Sequence, residues 1–137
     1  MQKVISLLIT AMIAVVFVCG GSVSAQTAKP WDIPAKYKTM KSPVNLKDQT
    51  VISNGKELWA KHCKSCHGAK GLGDGPKAAM LKTHPGDFSA AAFQGQADGE
   101  LFYETSFGRG DMPAYDKKIP EVNDLWSLVA YMRTMKK

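Results

Sequence analysis

Five residues constrain this chain more than any others: Cys63-Lys64-Ser65-Cys66-His67. Two thiols three positions apart on one helical turn can reach two neighbouring vinyl groups of a flat ring, and the imidazole that follows swings beneath its centre. C-x-x-C-H is the attachment pattern of haem c, with Cys63 and Cys66 as thioether donors and His67 as the proximal axial ligand of the iron. The cysteine pair has other readings. A dithiol redox couple calls for a preceding strand in a βαβ unit, and no such run precedes Cys63. A zinc site needs two more ligands at paired spacing, whereas Cys19 lies in an N-terminal apolar run and His62 and His84 are isolated. One close pair does not make a disulfide framework.

The start of the chain supports export. Lys3 supplies a positive charge, Val4 to Val18 is almost wholly apolar, Gly20-Gly21-Ser22 interrupts it, and Val23-Ser24-Ala25 offers small residues for cleavage. Residues 1–25 therefore read as a signal peptide, and the remainder as a periplasmic protein. The rival is an uncleaved anchor that would tie the chain to a membrane. Val4 to Cys19 falls slightly short of the roughly 20 residues that cross a bilayer. Lipidation at Cys19 is disfavoured by the bulky Val16-Phe17-Val18 before it. After cleavage only Cys63 and Cys66 remain, and two thioethers account for both.

The 137 residues suffice for one domain, and 45% of them are hydrophobic. Eighteen basic against 12 acidic residues give a formal net charge of +6. No basic tract is dense enough to suggest nucleic acid. The excess suits an acidic protein partner or an anionic surface, or simply keeps the chain soluble.

Residues 26–52 form a proline- and lysine-rich arm without helical or strand period, punctuated by Pro30, Pro34 and Pro43. Trp31 within it either docks in an apolar groove of the domain or is incidental on a loose tether. Residues 53–137 carry the domain. A first helix is expected from Ser53 or Asn54 to His62 or Cys63, with Gly55, Trp59 and Cys63 on one face. A glycine-rich loop spans 68–76, followed by a short helix over Lys77 to Leu81 and a turn at His84-Pro85. A helix over Asp98 to Phe107, capped by Asp98, presents Leu101, Phe102 and Thr105 on one side. The last helix begins near Pro120 or Glu121 and buries Leu125, Leu128, Val129 and Met132. No strand is expected.

One iron position remains beside His67. Met40, Met80, Met112, Met132, Met135, His62 and His84 are the available donors. Met112 stands out, because flanking glycines bring the backbone close to a flat cofactor and Pro113 holds Met112 extended. Met132 and Met135 have core-like helical spacing, and Met80 on its short helix is a candidate cavity residue. A thioether sulfur is soft and neutral and favours ferrous iron, which raises the potential. A six-coordinate iron leaves no place for substrate, which argues for electron transfer and against an enzyme.

Together these residues resemble a small bacterial class I cytochrome c from about Ser53 to Met135. Cys63-Lys64-Ser65-Cys66-His67-Gly68 is the strongest motif; Gly71 to Pro76 resembles the family's glycine loop and Gly110-Asp111-Met112-Pro113 its Met-Pro loop. The resemblance implies an all-α cytochrome c fold, three to five helices wrapped around one covalently attached haem c. It implies that Gly55 and Trp59 of the first helix meet Leu128 and Tyr131 of the last. It assigns Pro76 a carbonyl that accepts a hydrogen bond from His67, and it leaves Tyr103 as a candidate donor near the Met112 sulfur. It implies one-electron shuttling between redox protein partners. Six lysines between Ser53 and Lys82, against Glu57 and Asp74, could steer an acidic docking surface onto the haem edge, although an ordinary solvated face has the same composition. The alternatives are a haem-c subunit anchored in a membrane redox complex, and a haem peroxidase or gas-sensing protein, which would need Met112 absent or easily displaced.

Overall fold

The computed structural model describes residues 29–137. The expectations for the signal segment, for Cys19 and for an uncleaved anchor lie outside these residues. Among the described residues no helix is long and apolar enough to cross a membrane.

The described fold is helical: α1 (Ala35–Lys38), α2 (Gln49–His62), α3 (Lys64–His67), a 3-10 turn (Ala78–Met80), α4 (Ala91–Gln94), α5 (Asp98–Phe107) and α6 (Val122–Arg133). Its only β pairing among the described residues is one isolated bridge between Arg109 and Met112. The central packing is α2 across α6. A Cβ placed on Gly55 would overlap the Ser127 carbonyl, so glycine is what lets the two backbones cross there. One turn on, Trp59 meets the Tyr131 ring edge-on at 5.9 Å. Asn54 reinforces the crossing by donating to Asp124 Oδ1 at 2.7 Å and to the Ser127 hydroxyl at 3.2 Å. The expected stripe of α6 is buried: Leu125, Leu128, Val129 and Met132 are each at most 4% exposed, and Trp126 joins them, stacked on Phe102 of α5 at 4.6 Å.

Several element boundaries differ from the sequence-based expectation. Helix α2 starts at Gln49, four residues before Ser53, because the Asp48 carboxylate caps it by accepting from Thr50 N–H at 2.7 Å. Its first turn therefore belongs to what reads in sequence as arm. The short helix expected over Lys77 to Leu81 is a single 3-10 turn at Ala78–Met80. Helix α5 has the expected span, but Ala97 occupies the cap position and Glu100 reaches back to its N–H at 2.7 Å. Asp98 pairs instead with Arg133 at 2.7 Å, and Arg133 also donates to the carbonyls of Gln94 and Gln96. Helix α6 begins at Val122, behind Glu121.

The arm is docked. Ile33 and Tyr37 are buried, and the Tyr37 ring packs 4.7 Å from Tyr103 and 5.8 Å from Phe107. Pro34 sets the first turn of α1, whose Tyr37 N–H donates to the Pro34 carbonyl at 2.9 Å. Arm and domain thus share one core through aromatic packing on α5.

Candidate haem site

Helix α2 ends at His62, and the chain turns at Cys63 directly into the short α3. This turn is fastened from several sides. Trp59 Nε1–H donates to the Gly68 carbonyl at 3.0 Å in the core. Gly75 N–H donates to the Cys66 carbonyl at 3.2 Å and Lys77 N–H to the Ser65 carbonyl at 2.8 Å, folding the glycine loop back over the motif. Tyr115 O–H donates to the His62 carbonyl at 2.8 Å and ties the loop beyond Met112 to the end of α2.

Cys63, Cys66, His67 and Met112 all line one cavity of about 930 Å³, together with Trp59, Phe88, Leu101 and Leu128. Such a volume and mostly apolar wall are typical of a cofactor site. Cys63 and Cys66 are free thiols rather than a disulfide. Burial, with Cys66 beside it, pushes the Cys63 thiol up to about 12. Burial lowers the His67 imidazole to about 4, so it is neutral at physiological pH, the form that can bind a metal. Its Nδ1 is buried without a hydrogen-bond partner. Unbridged thiols, a neutral imidazole and a large apolar cavity fit a covalently held haem.

Of the first two prolines that follow the motif, Pro85 lines the cavity. Pro76 is exposed and does not line the cavity. Its neighbours Gly75 and Lys77 are occupied with the backbone of the motif, which turns Pro76 outward. The Pro85 carbonyl acts on His67 to favour the protonated ring, short of a well-formed bond to Nδ1.

The methionine side is built differently. Gly108 adopts φ of 58°, and a Cβ there would overlap the Met112 carbonyl, so glycine is needed for the loop to turn this tightly. Arg109 N–H donates to the Met112 carbonyl and Met112 N–H to the Arg109 carbonyl, both at 2.9 Å, which pins Met112 at the rim of the cavity. The arm closes the same edge. Arg109 lies 4.1 Å over the Trp31 ring and donates to the Pro30 carbonyl at 3.1 Å, and Lys29, Trp31 and Ile33 line the cavity.

The other sulfur and imidazole donors sort by position. Met80 is 81% exposed and outside the cavity, so the expectation that it lines the site fails: its 3-10 turn faces water. Met132 is 4% exposed and lines the wall, and Met135 packs on the core edge. His84 lines the cavity mouth with its Nδ1 accepting from Gly86 N–H at 3.0 Å. Tyr103 packs against Tyr37 and Phe107 and does not reach the cavity. Sequence reasoning passed over Glu104, which lines the cavity at 8% exposure. The signal was there: Glu104 follows Leu101 by three residues on the apolar face of α5.

Comparison with known proteins places this geometry in a lineage. Among curated proteins none matches the chain significantly. The solved structures it resembles include two that bear on the fold. The KustC0563 c-type cytochrome is 26% identical with a TM-score of 0.54, the match covering 61% of this chain and 98% of that one. A chain of the Kuenenia stuttgartiensis reducing HAO-like protein complex Kustc0457/Kustc0458 is 22% identical with a TM-score of 0.60, covering 74% of this chain and 54% of that one, and it speaks for the fold alone. Residues 52–136 match the cytochrome c family, whose members hold haem c covalently and transfer electrons. The chain belongs to the cytochrome c family.

Proposed function

We propose that this protein is an exported, periplasmic one-electron carrier whose haem c is attached through Cys63 and Cys66 and ligated by His67 and Met112. The observation that carries this reading is the convergence of all four side chains on one largely apolar cavity. Bound there, the haem supplies a reversible one-electron couple. The protein's own contribution would be a neutral imidazole from the motif turn and a soft sulfur from the Met112 loop, both in a largely apolar cavity. The paired backbone bonds between Arg109 and Met112 support a fixed sixth ligand, and so a carrier in preference to a peroxidase or gas sensor. Its partners would be redox proteins. Lys64, Lys77 and Lys82 are exposed on the chain around the motif, where they would favour an acidic docking surface.

The test is Met112→Ala in the purified holoprotein. Loss of the weak sulfur–iron charge-transfer absorbance and a large fall in potential are expected, because a harder ligand or water replaces the thioether. An unchanged charge-transfer band would give the sixth position to another residue. Ready binding of carbon monoxide by the unmutated ferrous protein would instead favour the gas-sensing or peroxidase reading.

A further inference from the structure

One buried carboxyl group of the cavity has no part in the reading above. Glu104 projects from α5 into the cavity. The side chain is 8% exposed, and Oε1 is buried with no hydrogen-bond partner. A carboxylate in that position is costly in its charged form, since no protein donor compensates the buried Oε1. Arg109, whose charge acts on it, makes no salt bridge with it: its guanidinium is stacked on Trp31 and bonded to the Pro30 carbonyl. On its own helix Glu100 adds like charge one turn away while bonded to Ala97 N–H. From the other elements around the cavity, Lys29 of the arm, His62 of α2, the motif's Cys63, Cys66 and His67, His84 and Asp87 beyond the 3-10 turn, and Asp111 and Tyr115 of the methionine loop are the remaining charged or titratable groups.

A buried acid without a committed partner responds to any change of charge in its cavity. The family's cofactor gains or loses one unit of charge at its centre with each electron. Coupling between two such events is reciprocal: if the electron alters proton affinity, the proton alters electron affinity equally. We propose that Glu104 is a proton-binding site coupled to electron transfer: its carboxylate takes one proton from water as one electron arrives from a redox-protein partner, and returns that proton to water when the electron leaves. One O–H bond forms and breaks, and the cofactor and carboxyl together change by no net charge. The inference rests on the haem reading of the same cavity. Its sign follows from the charges. The oxidised centre is the more positive and favours the carboxylate, so reduction raises proton affinity, and the potential falls as pH rises through the titration.

The titration lies in an accessible range, because burial raises the Glu104 carboxyl to about 7, with Arg109 opposing and Glu100 adding to the shift. The experiment is spectroelectrochemical titration of the holoprotein at a series of pH values either side of this midpoint, with Glu104→Gln and Glu104→Asp beside it. The expected result is a potential that declines with pH around neutrality in the unmutated protein and Glu104→Asp, and is flat there in Glu104→Gln. Redox-difference infrared spectra of the unmutated protein should show a protonated carboxyl C=O band on reduction. A slope that persists in Glu104→Gln would assign the proton to another group, such as a carboxylate of the cofactor, and overturn the proposal. So would a pH-independent potential, or the lack of a carboxyl band, which decides the matter even if Glu104→Gln folds poorly. Absence of the haem absorbance itself would sink the cofactor reading, a failure distinct from these.

Discussion

The two sides of the cavity are held by different means. On the side of Cys63, Cys66 and His67, the motif is fixed by backbone bonds from the glycine loop, by the buried Trp59–Gly68 bond, and from beneath by the α2–α6 crossing. On the side of Met112, a glycine-flanked loop is held by its own pair of bonds and by exposed contacts: Arg109 with Trp31 and Pro30, and Asp111 with Lys82 N–H. Buried interactions that depend on one another tie a site to the stability of the whole fold, while a loop with solvated contacts rests on its own local bonds. The imidazole side is therefore a preformed seat joined to the core, and the methionine side a loop held in place by its own pair of bonds.

Three substitutions would break or sharpen this contrast. The largest effect is expected for Gly55→Ala. The new methyl group meets the Ser127 backbone, which cannot rotate away as a flexible side chain would. A loss of about 3 kcal/mol or more is expected by denaturant unfolding, and a loss below ~1 kcal/mol would show that the crossing does not carry the seat. Trp59→Phe comes next. It keeps an aromatic ring, though a smaller one, and strands the buried Gly68 carbonyl, at a cost of about 1–3 kcal/mol. Amide exchange should quicken at Cys66 and His67 while the methionine loop is unchanged; equal quickening on both sides would erase the distinction. Arg109→Ala is expected to be the mildest, at roughly 0.5–1 kcal/mol for the lost contact with Trp31. Exchange should rise in residues 108–112 and Trp31 emission should shift toward that of a solvated indole. Quickening at the cysteine motif would contradict the contrast.

The contrast also marks what was legible in the sequence. Helical period put Gly55, Trp59 and Cys63 on one face, and the α6 stripe followed from the same rule; such faces are set by local geometry. That Met112 lines the cavity was readable because its glycines and Pro113 restrict the loop it sits in. The choice between Pro76 and Pro85 was not, since it depends on how the glycine loop lies over the motif after closure. The start of α2 was misplaced because Thr50-Val51-Ile52 has weak helix propensity, and the Asp48 cap overrides it. Residues 35–38 read as irregular among prolines, yet Tyr37 gains an aromatic pocket that only the folded α5 supplies.

The α2–α6 crossing has a further consequence for assembly. It joins groups 73 residues apart, such as Asn54 and Ser127. Closing a loop of that length costs more chain entropy than any contact within α2 or α3, so the crossing is expected to form after those local helices. Until then the cysteine turn has no roof, and its two sulfurs stay within reach of an incoming ring. Once the tail lies down, Cys63 is sealed and its thiol is hard to ionise. Late closure of this crossing would leave a window in which the haem proposed for Cys63 and Cys66 could be attached.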